Sequence, residues 1–462
     1  MDSVFYGQHM NVEPIIKNKA ELATTPMRRQ ALDIIETGIA RVLPDNIMRA
    51  SVQYKVKNRT VIVNGHRFDL SKGRLFVIGG GKAAVLMAGT LEDILGPGVI
   101  TAGIVTTKRG STNYTKKKIE VIQAGHPIPD EGGVEAVHRM LDLRPRYNIG
   151  ADDVVICLIS GGGSALMPCP AEGVSLADKQ SVTSLLLGSG AEISEINTIR
   201  KHLSRVKGGR LGRYFAPATV ISLILSDVIG NDLSVIGSGP TYPDQSTFTD
   251  ALKVLKKYSL FSRCPASVVG LLERGAKGLT DETPKTLDNC HNFIIGDINL
   301  ALEAMKAKAT ELGLKPYIVT AAQKGETTTA AVQRSVEIME NKYSGKNAVI
   351  LGGETTPSLP SKAGKGGRNQ HYVAVSMQQM KEYPGKWVVA SVGTDGSDFL
   401  PDVAGAVVDE KTWSRLEEQK VDVQSYIDRF DSFHLLEKAG NVLVRTGNTG
   451  TNVGDVVVYL LG

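Results

Sequence analysis

Only four cysteines, Cys157, Cys169, Cys264 and Cys290, occur in 462 residues. None has the paired spacing of a metal site, and so few thiols exclude a disulfide-stapled scaffold, which points to a reducing, cytoplasmic compartment. No apolar run reaches the ~18 residues a membrane span needs, and no signal-peptide pattern is present. Blocks of Lys and Arg interleaved with aromatics are missing, and the net charge is only +5. Neither nucleic acid nor membrane is therefore an expected partner, and Lys116-Lys117-Lys118 reads as a solvated turn. Internal repeats and the Walker A pattern G-x-x-x-x-G-K-[ST] are also absent, so any nucleotide is held in another way.

Glycine is what the chain has in excess: 49 residues, against a usual share of ~7 %. The glycines gather at strand ends. Gly79-Gly80-Gly81-Lys82 follows the apolar run Leu75–Ile78, and Ser160-Gly161-Gly162-Gly163-Ser164 follows Val154–Ile159. Each turn then opens into a helical pattern. A strand that stops at glycines before a helix offers unpaired backbone N–H groups and the positive end of the helix dipole, which suits an anion.

The elements alternate strand and helix, which predicts an α/β chain with a mostly parallel, doubly wound, Rossmann-like N-terminal sheet. Thr25-Pro26 reads as N-cap and first position of a helix that runs through Ile39. Expected strands cover 75–79, 101–106, 119–123, 153–159 and 218–225, and a helix is expected over 194–206. A cluster of prolines between 240 and 290 marks a domain change, and strand 293–296 opens a second α/β pattern. The predicted boundaries are an extension over 1–25, a first domain over 26–285 and a second over 286–462.

Ligands in open α/β sheets bind beyond the carboxyl ends of strands. Gly79-x-Gly81-x-x-Ala84 fits the dinucleotide fingerprint, but the acid expected at the end of the next strand is replaced by Lys108-Arg109. That disfavours NAD and leaves an NADP-linked reductase as the alternative. Lys82 stands at a helix start, where the dipole disfavours a cation, so a purely structural role explains it poorly. Arg200 and Lys207 are seven apart, as on one helical face, and Lys207-Gly208-Gly209 fits phosphate contact, although a solvated face is the default. Asp227 ends a strand and Asp232 follows, the hard oxygen donors a magnesium ion takes. His126-Pro127-Ile128-Pro129-Asp130 either orients a substrate or is a proline-held turn with Asp130 capping the next helix. In the second half Arg368 opens a helix after glycines and can grip a carboxylate or phosphate bidentately. Asp395, between glycines at a strand end, is a general base, a metal ligand or a plain turn residue.

Taken together these segments resemble the glycerate 2-kinases whose C-terminal half is the MOFRL domain. The matching stretches include Val77–Ala83, Gly125–Asp130, Leu158–Ala165, Ile196–Ser204, Lys207–Arg210, Leu225–Val228, Gly237–Thr241, Gly366–Gln370, Gly393–Gly396 and Thr449–Val453, in order from about residue 26 to 460. The resemblance implies transfer of the ATP γ-phosphoryl group to the 2-hydroxyl of D-glycerate, with magnesium or a similar divalent ion. It also implies small-molecule substrates, oligomers that are often dimers, and a site in the cleft between domains with Lys82 and Arg368 assigned to it. On that reading the phosphates lie on Gly79, Gly80, Gly81 and Ser160, Gly161, Gly162, Gly163, Ser164 with Lys207 nearby. Lys82, His126 and Arg368 meet the substrate, Asp227 and Asp232 the metal, and Asp395 accepts the proton. The chain departs from the pattern at His371, where a glutamate is usual, and after Asp395-Gly396, where Ser397-Asp398 replaces a second Asp-Gly. The rival is an NADP-linked hydroxypyruvate reductase.

Overall fold

The computed structural model describes residues 14–111 and 118–462. Lys116 and Lys117 of the expected solvated turn, and the first thirteen residues of the expected extension, lie outside the described residues.

The chain forms two compact units. The first comprises Leu43–Asp297 with Gly450–Val453; the second comprises the described residues through Val42, then Ile298–Thr449 and Gly454–Gly462. In the first unit, strands β1 (Val52–Lys55), β2 (Thr60–Val63) and β3 (His66–Asp69) make a small antiparallel meander. The main sheet holds β4 (Leu75–Gly80), β5 (Ile100–Lys108), β6 (Ile119–Ala124), β7 (Val154–Ser160), β8 (Thr219–Leu225) and β9 (Cys290–Gly296). Its order is β6-β5-β4-β7-β8-β9, parallel throughout.

That order is the doubly wound one, in which the chain starts in the middle and winds outward in both directions. The direction reverses between β4 and β7, so the loops after these two strands diverge and leave a crevice between them. The two glycine turns are those loops. Every residue of β4 and β7 is buried, as expected for parallel strands covered on both faces. Phe76 and Ile78 of β4, with Val155, Cys157 and Ile159 of β7, pack in one core with Val137 and Met140 of the helix Glu131–Tyr147.

In the second unit β10 (Pro316–Gln323), β11 (Ala348–Gly353), β12 (Trp387–Gly393), β13 (Gly405–Asp409), β14 (Leu443–Val444) and β15 (Asp455–Leu461) form a mixed sheet of order β10-β11-β15-β12-β13-β14. Only β10 and β11 pair in parallel; β15 runs antiparallel between β11 and β12. Consequently Asp455, the first residue of β15, stands opposite both Gly353 and Gly393, the last residues of β11 and β12. The helix Arg368–Met380 covers one face through Tyr372, Val373 and Met377.

Two expected boundaries are corrected. The helix Pro26–Arg41 belongs to the second unit, because Arg28 is buried there with an ion pair to Asp409 at 2.9 Å and Gly38 lies against Met305. Strand β9 closes the first sheet instead of opening the second pattern, since it pairs in register with β8 from Val220↔Cys290 onward. The Thr25 cap is present, with the Arg28 N–H donating to Thr25 Oγ1 and Pro26 at the first helical position.

Candidate functional site

The switch point of the first sheet is built almost entirely of main chain. The Lys82 N–H donates to the Gly161 carbonyl at 2.9 Å, and the Ala83 N–H to Ser160 Oγ at 3.0 Å, so the two glycine turns are stitched to each other. Lys82 lies in the turn itself, because the helix starts at Ala84, two residues later than expected. The absence of side chains on the second turn is required by its neighbours. A Cβ at Gly161 would lie 2.1 Å from Asp227 Oδ2 and 3.0 Å from Asn452 Nδ2. At Gly162, which has φ of +82°, a Cβ would lie 3.0 Å from His126 Nε2 and 3.4 Å from Lys82 Cγ. The structure thus brings Lys82, His126, Asp227 and Asn452 around a bare peptide hollow, and no side chain could be added there without moving one of them.

The rim of the hollow is held by hydroxyls. Ser164 Oγ is 2.8 Å from Ser238 Oγ, and the Ser238 hydroxyl donates to Asn197 Oδ1 at 3.2 Å. Asn452 Nδ2 donates to Asp227 Oδ2 at 3.2 Å, fixing that carboxylate beside Gly161. Asp232 instead caps its own turn, with Oδ1 accepting from the Ser234 N–H at 2.8 Å. Among the described residues no cluster of three or more His, Cys, Asp or Glu could hold a metal ion by itself. Asp130 is the cap of the helix Glu131–Tyr147 and is ion-paired with Arg109, so the turn reading of that segment is present in the structure alongside the approach of His126 to Gly162.

Arg200 and Lys207 do not share a helical face, a further correction. The helix Ile193–His202 ends at the Leu203 cap, well before the expected residue 206. Lys207 is 2 % exposed and, among the described residues, its Nζ donates only to the Gly237 carbonyl at 3.4 Å. Burial, together with the nearby positive charges of Lys179 and Arg200, holds its ammonium well below the ordinary lysine range.

In the second unit the helix that Arg368 opens aims its first N–H groups at a carboxylate of the same unit. Asp398 Oδ1 accepts from the Asn369 N–H at 2.9 Å and Oδ2 from the Gln370 N–H at 2.8 Å. Burial pushes its carboxyl up to about 6, against the pull of those two donors. Arg368 makes a two-pronged pair with Asp455, Nε to Oδ2 at 2.6 Å and Nη2 to Oδ1 at 2.9 Å, and its Nη1 meets Glu354 at 3.1 Å. The expected bidentate grip is therefore already made, to a carboxylate of this chain. Asn369 Nδ2 bridges Asp455 and Asp398 at 3.0 and 3.2 Å. Asp395 Oδ1 accepts from the Ser397 N–H and hydroxyl, both at 3.0 Å, so the turn role is real whatever else this residue does. Sequence reading singles out the loops holding Asn452 and Ser238 without giving these residues a role, and it gives none to Glu354 or Asp455. An acid at the head of the otherwise apolar run Val456–Leu461 was the available signal.

Comparison with known proteins agrees with this architecture. Residues 30–273 match the family described as domain of unknown function DUF4147, and residues 347–455 match the MOFRL family. The glycerate 2-kinase of Pyrococcus horikoshii is 40 % identical over 446 residues, covering 93 % of this chain and 98 % of that protein. The crystal structure of glycerate kinase from Thermotoga maritima is 37 % identical with a TM-score of 0.81, covering 93 % of this chain and 98 % of that one. A protein of Agrobacterium vitis provisionally named a hydroxypyruvate reductase is 38 % identical, covering 84 % of this chain and 100 % of that one.

Proposed function

The chain belongs to the MOFRL-domain glycerate kinase family, and on that premise we propose that it phosphorylates D-glycerate on the 2-hydroxyl with ATP, giving 2-phosphoglycerate and ADP. The observation that carries the reading is the peptide hollow at the switch point, stripped of side chains and ringed by Lys82, His126 and Asp227. Phosphoryl transfer asks the protein for alignment and charge neutralisation more than for covalent chemistry, and backbone N–H groups with one lysine are suited to that task.

In this reading the polyphosphate rests on Ser160–Ser164, and Lys82 neutralises the transferring group. The expected phosphate role of Gly79–Gly81 is corrected, since Gly79 and Gly80 lie in β4 and the Gly81, Lys82 and Ala83 N–H groups already donate to Thr106, Gly161 and Ser160. His126 orients the substrate. Within the second unit, Asp455 and Glu354 orient the Arg368 guanidinium. A magnesium ion, when bound, would neutralise phosphate charge. Asp227 fits it, being a carboxylate held by Asn452 against the hollow, with water and phosphate oxygens supplying the other positions. Asp232 fits less well, because it caps its own turn and it is Asp227 that lies against the glycine turn.

The name of the Agrobacterium vitis relative favours one second reading, the reductase. Against it, Arg109, which would meet an NADP 2′-phosphate, is ion-paired with Asp130. The test is paired. The protein is incubated with glycerate, ATP and magnesium while ADP is followed, and with hydroxypyruvate and NADPH while absorbance is followed. The expected result is ADP formation with a phosphorus NMR signal of 2-phosphoglycerate. NADPH consumption without ADP formation would overturn the reading, and a 3-phosphoglycerate signal would overturn its regiochemistry.

A further inference from the structure

The basic segment from Arg200 to Arg210 treats its cations in two ways. One is neutralised within the fold: Lys201 Nζ pairs with Asp244 at 3.1 Å. Others are not. Arg200 is half-buried and makes no side-chain hydrogen bond or ion pair among the described residues. Among the described residues Lys207 has only the distant Gly237 carbonyl. A third cation, Lys179 on the helix Leu176–Gly188, is 6 % exposed, and its Nζ is fully buried with no hydrogen-bond partner among the described residues.

These three positive charges act on one another. Arg200 and Lys179 both depress Lys207, and burial with Arg200 nearby lowers the Lys179 ammonium to about 8. The remaining group that each lysine senses is the buried thiol of Cys169, itself pushed up by burial. Among the described residues no carboxylate stands out as acting on either lysine. Burying an unpaired ammonium costs several kcal/mol, and a protein avoids it by neutralising the group or by supplying an anion. One such residue could be an accident of packing. Three such cations that sense one another, beside a Lys201 that is paired with Asp244, favour an anion.

The cluster adjoins the hollow. Lys207 contacts the Gly237 carbonyl, and the next residue, Ser238, touches Ser164 of the glycine turn on one side and Asn197 on the other. Asn197 lies one helical turn before Arg200. Ser164 and Arg200 are each half-buried.

We propose that Lys179, Arg200 and Lys207 form a polyphosphate subsite, which takes the non-transferred phosphates of a nucleoside triphosphate beside the Ser160–Ser164 turn. This rests on the kinase reading, and it goes beyond it by assigning Lys179 and Arg200. Several phosphate charges match several cations, whereas the single carboxylate of a hydroxy acid leaves two of them unpaired.

The test uses Lys179→Met and Arg200→Gln in the full chain, with inorganic pyrophosphate as the probe. Without ligand, Lys179→Met is expected to melt at or above the wild-type temperature, because a buried, unpaired ammonium has been replaced by an apolar chain of similar length. Millimolar pyrophosphate is expected to raise the wild-type melting temperature and to raise that of either variant much less. In the kinase assay both variants should raise KM for ATP about tenfold or more, while KM for glycerate changes less than twofold. Full pyrophosphate stabilisation of the variants, or an unchanged KM for ATP, would overturn the assignment. Arg200→Gln, at a half-buried position, keeps the test decisive if Lys179→Met does not fold. If the wild type makes no ADP from glycerate and ATP, the kinase reading fails, and the pyrophosphate melts still decide whether the subsite exists.

Discussion

His371 makes the second unit acid-sensitive by an amount that can be worked from its surroundings. It lies on the helix Arg368–Met380, is 1 % exposed and stacks on Phe430 with ring centroids 3.7 Å apart. Its two ring nitrogens meet hydroxyls, Nε2 to Thr328 Oγ1 and Nδ1 to Ser432 Oγ, both at 3.0 Å. Hydroxyls satisfy a neutral imidazole, one as donor and one as acceptor, but give no counter-charge to an imidazolium. Burial therefore pulls the pKa from the ordinary 6.5 down to about 4, with only a modest opposing pull from Glu326. Between those values the unfolded chain binds a proton at His371 and the native chain does not. The stabilisation is complete above the unfolded pKa and is lost as pH falls from about 6.5 toward 4. With one pKa unit equal to about 1.4 kcal/mol, the loss between pH 7 and pH 5 is about 2 kcal/mol.

Both tryptophans of the chain, Trp387 and Trp413, lie in this unit, so their fluorescence reports its unfolding. The experiment is a urea titration of wild type and His371→Gln at pH 7 and pH 5. Glutamine keeps a donor and an acceptor for the two hydroxyls but does not titrate. The variant should be the less stable at pH 7, through lost packing on Phe430, and the gap should shrink by about 2 kcal/mol at pH 5. A gap of the same size at both pH values would refute the reasoning, since it would mean that the native imidazole protonates as readily as the unfolded one.

Three further outcomes follow from the geometry. Arg28→Met should destabilise the second unit by about 3 to 5 kcal/mol in the same fluorescence titration, because it strands the buried Asp409 carboxylate; adding Asp409→Asn should restore part of the loss. Gly161→Ala should fold but lose about a hundredfold or more in kcat, since its Cβ would displace the Asp227 carboxylate; near-normal turnover would show that Asp227 has no part in the reaction. Lys82→Ala should lower kcat about a thousandfold with an unchanged circular dichroism spectrum, and turnover within tenfold of wild type would remove the lysine from the mechanism.

The first hollow was legible in the sequence and the Arg368 network was not, and the difference is one of range. Strand, glycine turn and helix start are local statements, so Leu75–Lys82 and Val154–Ser164 could be read from a dozen residues each, as could the caps at Thr25 and Asp130. Periodicity carries no information on which strand lies beside which. The doubly wound order that sets the two turns together came from a general rule about parallel sheets. That rule has no counterpart for a strand that enters antiparallel, as β15 does between β11 and β12. Asp455 and Arg368 are 87 residues apart, and nothing local ties them. Lys179 failed to stand out for a related reason. A lysine after Ser175-Leu176-Ala177-Asp178 reads as the solvent side of a capped helix, and its burial depends on chain that is not adjacent in sequence, with Cys169 and Arg200 acting on it. A cation becomes conspicuous only once its surroundings are known to contain no acid. The residues most worth mutating in this chain are therefore those whose local reading and three-dimensional setting disagree: Lys179, Lys207 and Asp455.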